Sequence, residues 1–234
     1  MARLARLSAA GQVHLVIQRG NNAQPIVGDD EDRRRFLAML GEAARSNRLA
    51  IHAYALTGNE FLMLATPDDA IGLGRTMQSL GRRYVAYFNR RHARSGTLWD
   101  GRFRSTIIEA ALHLRDCMCF VESAPLRAGL ALTAGEYRWS SARHHLGFVI
   151  DPLVSDPPSY WESGNTPFER EDAHRAMLER GLGSQQALAI EAAARKGWVL
   201  GSAAFAAELE RATARRTRPG QPGRPAPKAK EVGT

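Results

Sequence analysis

The residues of this 234-residue chain best suited to metal or nucleophilic chemistry are seven histidines and two cysteines, and their spacing argues against a shared centre. Cys117 and Cys119 lie two apart in a stretch that reads as helix, so their thiols leave on different sides; they are expected to be reduced core or half-buried residues, neither a disulfide nor a zinc pair. His144 and His145 are adjacent, which on a helix turns them about 100° apart and keeps them off one ion. His14, His52, His92, His113 and His174 occur singly. No zinc, phosphate-loop or Ser-His-Asp pattern is present, so no metal site is expected.

The arginines carry a different chemistry. The chain has a formal charge of +8, but Arg75 to Arg104 alone holds eight arginines against Asp100, a local net of +7. Arg211 to Thr234 adds +6, which leaves the remainder at −5. Charge concentrated in this way suits a phosphate backbone better than solubility alone does, so the balance favours a nucleic-acid partner. Trp99 and Phe103, beside Arg102 and Arg104, are placed to stack on unpaired bases, each worth about 1–3 kcal/mol; Trp99 serves a core equally well.

The elements that must position these residues follow from periodicity. Val13–Arg19 is β-branched and apolar and is closed by Gly-Asn-Asn, a strand and a turn. Asp29 and Asp30 open a helix to Asn47 with Phe36, Leu37, Leu40 and Ala44 at helical spacing and an acidic start that suits the dipole. Ile51–Leu56, the turn Thr57-Gly58-Asn59 and Glu60–Thr66 form a β-hairpin. A long helix runs from Asp68 to Arg91, its apolar side carrying Ile71, Leu73, Met77, Leu80, Tyr84 and Phe88. A fourth strand spans Phe103–Glu109, and a further helix spans Leu112–Ser123, stopped by Pro125. The class is α+β, and the order β-α-β-β-α-β is the ferredoxin-like one, an antiparallel sheet with helices on one face.

Residues 148–167, rich in Pro, Asp, Ser and Gly, read as a linker, 168–212 as a small helical region, and 213–234 as a disordered basic tail too poor in apolar residues to fold alone. With 44% hydrophobic residues the chain supports one principal core. The longest apolar run falls short of the roughly 18–20 residues that span a bilayer, and MARLARLSAAGQ lacks a signal-like hydrophobic centre. A soluble cytoplasmic protein is expected, with no membrane partner.

Four motifs in order carry a resemblance: His14-Leu15-Val16-Ile17-Gln18-Arg19-Gly20-Asn21-Asn22, the stretch from Gln78 to Arg91, Gly96-Thr97-Leu98-Trp99-Asp100-Gly101-Arg102-Phe103-Arg104, and Tyr137-Arg138-Trp139-Ser140-Ser141. Over residues 1–147 the chain resembles the REP-associated tyrosine transposases of the single-tyrosine HUH superfamily. The resemblance implies a DNA-processing domain that cuts single-stranded DNA beside a hairpin. A tyrosine hydroxyl attacks a phosphodiester while a magnesium or manganese ion, held by a His-hydrophobic-His pair on a strand, polarises the phosphate. Alternate strand residues face one side, which is why that spacing serves one ion.

This chain departs from the pattern at each of those places. Glu60 and Leu62 stand where the resemblance implies the two histidines, Phe120 where it implies the nucleophilic tyrosine, and Ala124 where it implies a polar metal ligand. A Tyr-to-Phe change deletes one oxygen and keeps the ring, so packing survives while attack does not. No one- or two-residue slip restores the set, since residues 56–66 hold no histidine and 110–125 no tyrosine. Substitutes are conceivable: Glu60 with Glu122 for magnesium, or Tyr84 or Tyr87 as nucleophile.

The expectation is a DNA-binding protein, its partner hairpin or single-stranded DNA, that does not cleave and needs no cofactor. The alternatives are an active transposase using substitute residues and a decayed remnant. Arg75, Arg82, Arg83, Arg90, Arg91, Arg102 and Arg104, with Trp99, are the expected DNA contacts. His144 and His145 read as surface or DNA-facing residues. Arg224, in Pro222-Gly223-Arg224-Pro225, resembles the core of a minor-groove hook.

Overall fold

The computed structural model describes residues 6–219. Four strands, β1 (Val13–Arg19), β2 (Leu49–Leu56), β3 (Glu60–Pro67) and β4 (Arg104–Ile108), form one antiparallel sheet in the order β2-β3-β1-β4. Helix α1 (Asp30–Ser46) connects β1 to β2 and α2 (Gly72–Arg91) connects β3 to β4, which is the expected ferredoxin-like order. Asp29 caps α1 by accepting from the Glu31 and Asp32 amides at 3.0 and 3.1 Å. The helix expected from Asp68 begins at Gly72 instead, because Asp69 turns its carboxylate onto the Ile71 and Gly72 amides at 2.8 and 2.6 Å; Ile71, expected on the apolar side, therefore precedes the helix and is exposed.

Side-chain alternation divides the sheet into two faces. Val16, Phe61, Met63 and Ala65 meet Phe36 and Leu40 of α1 and Leu73, Met77, Leu80, Tyr84 and Phe88 of α2. Leu15, Ile17, Leu62 and Leu64 point the other way and are also buried. They are covered by α3 (Ala110–Glu122) and by Met177 of α7 (Pro167–Arg180) and Ile190 and Ala194 of α8 (Ser184–Lys196). The two crossover helices thus share one face as expected, but helices cover the opposite face as well. The reason is visible in β3, apolar at odd and even positions, the pattern of a strand buried on both sides; β1 largely alternates, and its polar His14 and Gln18 are buried on the Val16 side.

The C-terminal helices therefore belong to the same core as the sheet. Pro125, expected only to stop a helix, opens the short α4 (Ala124–Arg127). The segment 148–167 lies along the outer edge of β2: the Ser155 amide donates to Ile51 O at 2.7 Å, and the Tyr54 hydroxyl donates to Asp151 at 2.6 Å. A bulge between Ile51 and Ala53 turns out His52, whose Nδ1–H donates to Ser155 O (2.7 Å) while Nε2 accepts from the Thr66 hydroxyl (2.8 Å). Within residues assigned to the tail, Thr217 is buried behind α9 (Ala203–Thr213), its hydroxyl donating to Ala206 O at 3.0 Å. No helix among the described residues is long and apolar enough to cross a membrane.

Candidate functional site

The register places Glu60 opposite Arg19 and Leu62 opposite Ile17, both on the face covered by α3. Leu62, Phe120 and Ala124 are buried in one apolar cluster with Leu15, Ile17 and Leu114. Glu60 sits at its rim and is ion-paired to Arg19, whose Nε lies 2.8 Å from the carboxylate; the same guanidinium reaches Glu191 of α8 at 3.1 Å. Arg127 lies over the Phe120 ring at 4.2 Å and donates to Phe120 O (2.6 Å) and the Ser123 hydroxyl (2.8 Å). Burial lowers the pKa of Arg127, and Glu60 and Glu191 oppose the shift. Two arginines and two glutamates thus frame a floor of Leu62, Phe120 and Ala124, whose side chains carry no imidazole or hydroxyl.

Glu122 does not join Glu60. Its fully buried carboxylate accepts from His145 Nδ1 (2.6 Å), His174 Nε2 (2.6 Å) and the Ser141 hydroxyl (2.5 Å). His145 Nε2 lies 3.5 Å from Asp156, which also receives His144 Nε2 at 3.2 Å. Burial opposes the charge on Glu122, but His145 and His174 outweigh it and hold its pKa well below the usual carboxylate range. Burial likewise opposes the charge on His145, and Glu122 with Asp156 overcomes it, raising its pKa to about 9.

The histidines expected at the surface are thus drawn inward, His145 fully. Their N–H groups bridge α3, α5 (Ala142–His145), α7 and the segment around Asp156. The 2.6 Å contacts are hydrogen bonds. The backbone N–H of Asp151 donates to His144 Nδ1 at 3.1 Å, so the neutral ring carries its proton on Nε2 and has no lone pair there for an ion. A raised histidine pKa stabilises the fold fully below the ordinary value near 6.5, and that contribution is lost as pH rises through about 9. The free energy of unfolding should therefore fall between pH 7 and 10 by on the order of a few kcal/mol. His145→Gln should remove most of that dependence; an unchanged profile in the variant would refute the assignment.

The two tyrosines considered as substitute nucleophiles are otherwise engaged. Tyr84 is buried, donates to Ile26 O at 2.7 Å, and has its pKa pushed far up by burial. Tyr87 donates to Asp32 at 3.1 Å. Cys117 and Cys119 are buried and free, and burial pushes the Cys119 thiol up to about 11.

The expected DNA contacts separate into two groups. Arg91 is held by Asp29 (2.7 Å) and by the fully buried Asp32 (2.5 Å), and Arg83 is paired with Glu42, so both bind α1 to α2. Arg75, Arg82, Arg90, Arg102 and Arg104 are exposed. Trp99 is partly buried, stacked on Tyr84 at 6.2 Å and edge-on to Phe36 at 6.5 Å, yet its other side is open. With Phe36, Met77, Phe103 and the largely buried Gln18 it lines a pocket of about 440 Å³ near the β4 edge.

Arg102, Phe103 and Arg6 are shared between that pocket and a second of about 230 Å³, completed by Arg104, Arg195, Lys196 and Arg215. Arg6 lies 3.6 Å over the Phe103 ring. A further cavity of about 410 Å³ shares Gln78 with the first pocket and adds Arg75. The result is a cationic groove with aromatic walls along β4. Arg6, Arg195, Lys196 and Arg215 were not expected here, since they lie far from the arginine cluster in sequence: the segment before β1 brings in Arg6, which also donates to Phe103 O at 3.3 Å, and the packing of α8 and α9 brings in the others. Arg224 lies outside the described residues.

No protein-family model and no curated protein matches the chain. Among solved structures, a REP-associated tyrosine transposase bound to a REP hairpin is similar in fold: 12% identity, 67% of this chain and 92% of that one covered, TM-score 0.55. A structure assigned as a transposase from Deinococcus radiodurans aligns at 20% identity over 49% of this chain and 87% of that one, with a TM-score of 0.35. With its sheet order, crossover helices and third helix in place, the chain has the fold of a REP-associated tyrosine transposase.

Proposed function

We propose that this chain is a DNA-binding member of the REP-associated tyrosine transposases, acting in the cytoplasm, that holds hairpin or single-stranded DNA and does not cleave it. The observation that carries this reading is what fills the four positions where the resemblance implies catalytic residues. Leu62, Phe120 and Ala124 are packed in an apolar cluster, and Glu60 is engaged by Arg19. These residues do not suit the divalent cation of the family. Leu62 and Ala124 offer no donor, Glu60 is a single carboxylate already neutralised, and Arg127 adds positive charge beside it. Binding is supported by the groove at β4, whose arginines suit phosphates and whose Trp99 and Phe103 suit unpaired bases. The similar transposase in complex with a REP hairpin supports the choice of DNA.

A labelled hairpin with a single-stranded flank, incubated with magnesium or manganese, tests the reading. Salt-sensitive binding without cleavage is expected. A covalent protein–DNA adduct would sink it in favour of substitute catalytic residues, and no binding below about 0.1 M salt would favour a remnant without a binding role.

A further inference from the structure

The groove contains one guanidinium that the fold leaves in an unfavourable state. Arg215 follows the end of α9, where Ala214 takes a left-handed conformation (φ 49°). The turn is anchored behind it, because Thr217 donates to Ala206 O at 3.0 Å and its own carbonyl accepts the Val199 amide at 3.0 Å. The Nε and Nη1 atoms of Arg215 are buried with no hydrogen-bond partner. Burial lowers the pKa of the group, and no carboxylate offsets it. The pocket it faces is lined by Arg102 and Arg104 from the β4 side and by Arg195 and Lys196 from the end of α8, with no acidic residue on its wall among the described residues.

Like charges gathered around a desolvated, unpaired guanidinium are costly in the free protein and become favourable when an anion enters. The chemistry selects the anion. A planar guanidinium with free N–H groups, backed by an ammonium and further guanidinia, matches the oxygens of a phosphate group.

We propose that this pocket is a phosphate-binding site, completed by the C-terminal segment, that holds a backbone phosphate of single-stranded DNA running along the β4 edge. Only the DNA origin of the phosphate rests on the function proposed above. A base next to the phosphate falls within reach of the aromatic pocket, since Arg102 and Phe103 form a wall common to both.

Two measurements on the full chain test this. In the first, inorganic phosphate replaces chloride at constant ionic strength while thermal unfolding is followed. Phosphate should raise the melting temperature of the wild type dose-dependently and that of Arg215→Gln little. In chloride alone, Arg215→Gln should melt at or above the wild type, because an unpaired buried charge has been removed; a residue with a purely structural role would melt lower.

In the second, Arg215→Gln should weaken binding of a hairpin with a single-stranded flank about tenfold and reduce the salt slope by about one. Equal protection of both proteins by phosphate, or an unchanged DNA affinity and salt slope without phosphate protection of the wild type, overturns the site. Arg215-dependent phosphate protection in a protein that binds no DNA leaves the site standing for a free phosphate group, and it is then the DNA-binding reading that fails.

Discussion

Glu122→Ala is expected to lower stability by about 3–5 kcal/mol, the range found when one partner of a buried ion pair is removed. The carboxylate is fully buried and accepts from two imidazoles and a hydroxyl contributed by α5, α7 and the chain just before α5. Its loss leaves the His145 and His174 N–H groups facing a dry cavity, and His145 would then lose much of the field that keeps it charged. For a chain of this size that corresponds to a fall in melting temperature of roughly 10 °C. Glu122→Gln keeps the shape and one acceptor, and should cost less. Because His174 is the α7 contribution, amide exchange in α7 should accelerate in the alanine variant before exchange in β1 and β3 does. An alanine variant with an unchanged urea midpoint would show that the network contributes nothing.

The second large effect is expected at the β4 edge. Replacing Arg102 and Arg104 together by alanine should weaken binding of a single-stranded or hairpin DNA by about 10- to 100-fold at moderate salt and lower the salt slope by about two. Both are exposed and line the same cationic pocket. Melting temperature should barely change, since no buried group depends on them. The contrast is Arg91→Ala, which strips the buried Asp32 of its strongest cationic partner and should act on stability. Filter binding across a salt series, beside thermal unfolding of the same proteins, separates the two behaviours. Equal DNA binding by wild type and double variant would remove β4 from the interface.

Much of the framework was legible in local pattern. The four strands, the hairpin at Thr57-Gly58-Asn59 and the two crossover helices follow from β-branched runs, turn residues and helical spacing of apolar residues, all short-range properties of the chain. The second covered face was also written in β3, whose apolar residues occupy both parities. A one-faced sheet would have alternated. What could not be read was which cover each face takes, because Met177 and Ile190 look like ordinary helix residues until they meet Leu62 and Phe120.

The site divides along the same line. That positions 60, 62, 120 and 124 carry no imidazole, side-chain amide or hydroxyl is a matter of residue identity, and no fold changes it. Residue type could not say which arginines remain available. Arg83 and Arg91 belong to the same run as Arg82 and Arg90, yet their carboxylate partners lie 41 and 59–62 residues away. The same limit hid the burial of His145, whose partner Glu122 is 23 residues distant, and the gathering of Arg6, Arg104, Arg195 and Arg215 around one pocket.

Sequence determined which groups this protein carries at positions 60, 62, 120 and 124, because a missing atom is missing in every conformation. Tertiary structure decided the chemistry available to it. A charge acts through what lies within a few ångströms, and only packing of distant segments sets that distance.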